Sequence, residues 1–118
     1  MKFGIKIRAT RIERGMTQQE LARRMNVSVS YISKVENERL HFGDYPSEKF
    51  INRLATELGT DEDDLLMLAD KIPIGLRKII RERPSLFRVI AVLDAKALDE
   101  LASDLTGKLA LKGSGKAS

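Results

Sequence analysis

A chain of 118 residues, 42% hydrophobic and 32% charged, has enough apolar surface for one modest core with an appendage and is not disordered by composition. It holds no cysteine and a single histidine, His41, which excludes disulfides, thiolate or multi-histidine metal centres and cysteine nucleophiles. No apolar run approaches ~18 residues and Met1-Lys2 does not open a signal peptide, so a cytoplasmic chain with no membrane association is expected. The net charge of +4 is uneven: residues 1–40 hold nine Lys/Arg against four acids, residues 41–72 three against eight, and residues 73–118 nine against five.

The apolar residues recur at helical spacing rather than alternating, so the expected fold is all-α. Phe3, Ile7 and the Thr10-Arg11 step predict a first helix that ends at Gly15, where a left-handed residue closes it. Thr17-Gln18-Gln19-Glu20 has the form of a capping box, the threonine oxygen accepting from a backbone N–H and Glu20 reaching back. Leu21, Ala22 and Met25 then line one face of a short second helix. Asn26 tolerates the left-handed backbone of a tight turn. Ser28 can cap a third helix with Ile32 and Val35 inward.

A polar and aromatic loop over 37–46 follows. A fourth helix is expected over 47–58, with Ile51, Leu54, Ala55 and Leu58 inward and Gly59 as its stop. A fifth, capped by the pair Thr60 and Asp63, carries Leu65, Leu66 and Leu68. Ile72-Pro73 reads as a hinge, and further helices are expected over 74–83, 84–93 and 95–111, Pro84 suiting a first helical turn. Residues 112–118 are rich in glycine, serine and lysine and read as a flexible tail.

Two short helices joined by a turn of about three or four residues make a helix-turn-helix. Ala22 supplies the small residue where such helices cross, and Asn26 supplies the turn. With Ile32 and Val35 inward, Val29, Ser30, Ser33 and Lys34 are left on an outer face that fits a DNA major groove. The basic front points to the same polyanionic partner, although solvated helix faces account equally well for charge taken alone.

Three words carry a family resemblance: Arg11-Ile12-Glu13-Arg14-Gly15-Met16-Thr17-Gln18-Gln19-Glu20-Leu21-Ala22, then Tyr31-Ile32-Ser33-Lys34-Val35-Glu36-Asn37, then Leu54-Ala55 through Leu65-Leu66. From about Ile7 to Leu68 the chain resembles the phage Cro/repressor family of helix-turn-helix regulators, of the xenobiotic-response-element class. It departs in placing Asn26 where the family usually has glycine, and in the longer Glu38–Tyr45 loop.

The resemblance implies a sequence-specific DNA-binding transcription regulator, a dimeric repressor that reads the major groove with the Ser28–Glu36 helix. It implies that Gln18 touches a phosphate and reaches toward a base edge, and that Ser28 caps the reading helix and contacts the DNA backbone. Val29, Ser30 and Lys34 are then base-reading positions and Ser33 a weaker one, while Tyr31, Asn37 and Arg39 position the phosphate backbone. Arg11 and Glu36 are implied to pair with each other, tying the first helix to the third. Each role has a plainer competitor: capping alone for Gln18 and Ser28, packing against the first helix for Tyr31, a solvated side chain for Lys34, and a phosphate contact for Arg11.

Asp61-Glu62-Asp63-Asp64 lacks the spacing and the turn glycine of a calcium loop, and acids favour a helix's first turn in any case. His41, Phe42 and Tyr45 either anchor their loop to the core or face DNA or a partner. No enzymatic activity, catalytic residue, metal or cofactor is expected. The organisation is a five-helix repressor-like domain over 1–72, a helical extension over 73–111 and the tail. The apolar stripes of the extension (Ile79, Ile80, Leu86, Ile90, Leu93, Leu98, Leu101, Leu105, Leu109) suit a homodimer. The alternatives are packing on the same chain, or an antitoxin-like or effector-binding module that holds a protein partner at 73–111.

Overall fold

The computed structural model describes residues 1–41 and 45–117, with side chains to Leu111. Among them there is no strand; eight helices follow one another as α1 Phe3–Glu13, α2 Gln18–Met25, α3 Val29–Glu36, α4 Glu48–Leu58, α5 Glu62–Leu68, α6 Ile74–Glu82, α7 Pro84–Ala91 and α8 Ala95–Ala117. They divide into two compact units, Met1–Ile74 and Gly75–Ser118.

In the first unit the helical spacing of apolar residues becomes one core. Ile7, Leu21, Met25, Ile32, Ile51, Leu54, Leu58 and Leu65 are fully buried, each contributing roughly 1.5–3 kcal/mol relative to exposure. Helix α3 packs against α1 and α2, α2 also meets α4, and α4 meets α5. Ala22, the small residue expected where α2 and α3 cross, is buried. The tighter approach lies elsewhere, between α1 and α3. A Cβ on Gly4 would stand 2.4 Å from the Val35 carbonyl oxygen and 2.6 Å from that of Glu36, so only glycine lets these backbones meet.

The helices α1 to α5 all stop in one way. A left-handed residue follows each helix: Gly15, Asn26, Glu38, Gly59 and Asp70, with φ between 56° and 67°. The next N–H then donates to the carbonyl five residues back: Met16 to Arg11, Val27 to Ala22, Arg39 to Lys34, Thr60 to Ala55 and Lys71 to Leu66. These are Schellman closures, which satisfy carbonyls that the helix leaves without partners. Gly15, Asn26 and Gly59 stand where the sequence leads one to expect them; Asp70, like asparagine, is a type that visits this region, and Glu38 enters it less readily.

Starts are equally local. Thr17, Ser28 and Ser47 accept from the backbone N–H groups of Glu20, Tyr31 and Phe50. The fifth helix is capped by Asp61, which accepts from Asp64 N at 3.0 Å, rather than by the expected Thr60. A carboxylate one residue later has both the geometry and the favourable charge for the positive helix end. The Glu20 side chain is taken up by Arg24 at 3.0 Å rather than completing the capping box.

The loop after α3 is held by half-buried Leu40 and buried Pro46, whereas His41 and Tyr45 are exposed; Phe42, the third member of the expected cluster, lies outside the described residues. In the second unit, α8 runs on to Ala117 instead of ending before residue 112. No proline interrupts it, and the glycines there disfavour a helix by only ~1 kcal/mol each. Among the described residues no helix is long and apolar enough to cross a membrane.

Candidate nucleic-acid interface

Helices α2 and α3 are separated by Asn26, Val27 and Ser28 alone. Asn26 turns the chain (φ 56°, ψ 46°), half-buried Val27 packs against the core, and Ser28 caps α3 by accepting from Tyr31 N at 3.0 Å. Val29 at 39% exposure, together with exposed Ser30 and Lys34, forms an outer row on a helix whose Ile32 and Val35 are buried. Ser33 is half-buried, and its carbonyl accepts from Asn37 Nδ2 at 2.8 Å. Asn37 itself is the residue that ends α3. Arg39 is exposed, and its backbone N–H makes the closure to Lys34 at 2.9 Å.

Behind this face lies a network centred on Glu36. Arg11 donates to it twice, Nε to Oε2 at 2.7 Å and a terminal nitrogen to Oε1 at 3.0 Å, and both residues are buried. Arg11 also donates to the Met16 carbonyl at 2.8 Å, and Gln18 Nε2 donates to Glu36 Oε1 at 3.1 Å. One carboxylate thus joins α1, the start of α2 and the end of α3. Bidentate geometry with every charge satisfied is the condition under which a buried pair is tolerated. Gln18 is thereby turned toward the inner side of the interface as well as standing at its edge.

Tyr31 is half-buried, and its ring meets that of Phe50 edge-on, centroids 5.5 Å apart and planes at 88°. Tyr31 of α3 thus meets α4 through Phe50. That geometry is the favourable one for aromatic quadrupoles.

The sequence pattern gives no sign of Glu38. Its Oε1 accepts from Gly4 N at 2.7 Å, where Lys2 offers α1 no side-chain cap. A carboxylate 34 positions away thus caps the first helix and ties it to the end of the third. No local motif signals such a bond; only the pairing of a bare helix start with an acid after α3 could have suggested it.

The basic front is also less free than its charge suggests. Arg14 donates to the Gly59 carbonyl at 3.0 Å. Arg24 lies 3.0 Å from Glu20 and 3.6 Å from Glu57. Its guanidinium is held above its ordinary pKa, first by the hydrogen bond to Glu20 and then by that carboxylate's charge. With Arg11, three of the front's arginines have partners within the chain. Among the described residues no three His, Cys, Asp or Glu side chains gather as a metal site.

A capped helix held to its predecessor by a three-residue turn, its outer row exposed and its inner row buried, defines a protein of the helix-turn-helix DNA-binding class. The chain belongs to the helix-turn-helix family of the xenobiotic-response-element type, whose profile matches residues 7–65, half of its length. It is a DNA-binding transcription regulator and not an enzyme.

The immunity repressor protein of Bacillus phage phi105 is 29% identical over 117 residues, spanning 98% of this chain and 73% of that protein. Among solved structures, the SinR protein/SinI protein complex shares the fold, with a TM-score of 0.50 at 21% identity over 92% of this chain and 98% of that one. The clp gene regulator ClgR from Corynebacterium glutamicum gives a TM-score of 0.48 at 27% identity over 75% and 85% of the two chains.

Proposed function

We propose that the protein is a sequence-specific repressor that binds double-stranded operator DNA as a dimer and reads the major groove with the Ser28–Glu36 helix. The observation that carries this reading is the division of α3 into buried Ile32 and Val35 and exposed Val29, Ser30 and Lys34. Valine methyls suit a thymine methyl, and a lysine ammonium suits guanine O6 and N7. Gln18, Ser28, Tyr31, Asn37 and Arg39 flank that row and serve phosphate contacts, with the positive end of α3 adding attraction at Ser28. Similarity to a phage immunity repressor favours repression over activation. A two-fold dimer matches operators with half-sites about one helical turn apart, and the exposed apolar residues of α6 to α8, among them Leu86, Val89, Leu105 and Leu109, offer a surface for it.

Selection of bound duplexes from a random pool tests this directly, since the recovered site reports sequence, symmetry and spacing together. Lys34→Ala should change preference at one base position by roughly 1–3 kcal/mol. Equal weakening on every sequence would remove Lys34 from the base-reading set.

A second reading takes the same apolar residues as the seat of another protein, in an antitoxin-like or effector-binding module. It is favoured by the fold shared with a protein solved as a two-protein complex. Removing residues 73–118 separates the readings: loss of self-association in sedimentation supports the dimer, whereas loss of only a co-purifying protein supports the partner.

A further inference from the structure

The second unit carries nine basic and five acidic residues, but they are not mixed. Arg77, Lys78, Arg81, Arg83 and Arg88 stand against Glu82 alone over residues 77–88, so this short stretch has a net charge of +4, equal to that of the whole chain. The remainder of the unit balances, with Lys96, Lys108, Lys112 and Lys116 against Asp94, Asp99, Glu100 and Asp104.

Within α6 the charge is also segregated around the axis. At 100° per residue, Arg77, Arg81 and Lys78 span an arc of about 100°, and Leu76, Ile79 and Ile80 occupy an arc of similar width on the opposite side. Ile74, in the first turn, is the one apolar residue within the basic arc. Lys78 and Arg81 are exposed and Arg77 is half-buried.

We propose that the basic arc of α6 is a second duplex-binding surface that takes DNA phosphates outside the base pairs read by α3. The inference rests on the DNA-binding reading above and extends the contacted length of duplex without adding base recognition. Phosphate is the fitting partner because exposed cations about one helical turn apart, Lys78 and Arg81, neutralise neighbouring backbone charges and release their counterions. Arginine adds bidentate geometry for phosphate oxygens.

The test is the salt dependence of binding by the full chain to a mixed-sequence duplex of about 40 base pairs, a length chosen to exceed one groove-reading site. The patch variant is Lys78→Gln with Arg81→Gln. The charge-matched control is Lys96→Gln with Lys108→Gln, which removes the same charge from the balanced helix α8. The slope of log K against log salt should become shallower by about two units in the patch variant and stay within error of the unmodified chain in the control. Equal slopes in patch variant and control overturn the proposal, as does a patch variant that keeps its slope but loses self-association in sedimentation, since the arc would then serve a protein contact. Either result leaves α3 as the reading helix, provided the unmodified chain still binds with a steep slope. Salt-independent binding by the unmodified chain would remove both proposals together.

Discussion

The two units build helices of comparable quality and finish them very differently. Among the described residues of Met1–Ile74, apolar side chains from α1 to α5 are buried, and the buried polar ones, Thr10, Arg11 and Glu36, all have partners. In Gly75–Ser118 no described residue is buried, and Leu86, Val89, Leu105 and Leu109 are each about half exposed or more. Apolar periodicity therefore specifies a helix in both places but a core in only one. The first unit satisfies its own surface; the second presents apolar area that is stabilised only when something covers it.

The largest expected effect tests the self-sufficiency of the first unit. Arg11→Ala leaves Glu36 buried without its cation, and urea denaturation should show a loss of about 3–5 kcal/mol. Leu105→Ala, the matching truncation in the second unit, should leave the dilute protein's transition within about 0.5 kcal/mol. A large loss there that grows with protein concentration would instead mark Leu105 as part of an interface between copies.

Gly4→Ala comes next. The new methyl has no room before the Val35 and Glu36 carbonyls, so α1 must shift from α3 at an expected cost of about 1–3 kcal/mol, read from the same denaturation curves. A neutral result would mean that the first helix is less firmly seated than its geometry implies.

The smallest effect concerns Glu38, which pulls in two directions. Glu38→Ala removes the cap on Gly4 N while keeping a left-handed residue with a Cβ, and should destabilise by about 1 kcal/mol. Glu38→Gly removes the same cap but relieves the backbone, and should fall closer to the unmodified chain. If alanine and glycine behave alike, backbone strain at residue 38 is negligible and the hydrogen bond carries the whole effect.

Where the structure follows from neighbours in sequence, it was legible. Thr17, Asn26 and Ser28 announce the ends of α2 and α3, and the alternation of Ile32 and Val35 with Ser30 and Lys34 announces the two faces of α3. Val29, Ser30 and Lys34 are exposed beside buried Ile32 and Val35, as that pattern requires. What escaped were contacts between distant residues. Gly4 reads as an ordinary helix residue until α3 lies across it. Glu38 reads as a loop acid until its carboxylate reaches Gly4. Tyr31 gives no hint that its ring meets Phe50, which arrives only after the loop over 37–46. Charge was misleading for the same reason: counting arginines in residues 1–40 cannot tell that Arg14 and Arg24, beyond the Arg11 pairing that the resemblance implies, are bound within the chain.

The Schellman closures have a consequence for how the first unit assembles. Each seal joins residues only five positions apart, so every helix from α1 to α5 can find its own length before the chain has collapsed. Few bonds, chiefly those from Glu38 and Glu36 to α1, must wait for remote segments to meet. Topologies dominated by such short-range closure cross their folding barrier in microseconds to milliseconds, leaving little time for half-formed apolar faces to find the wrong neighbour.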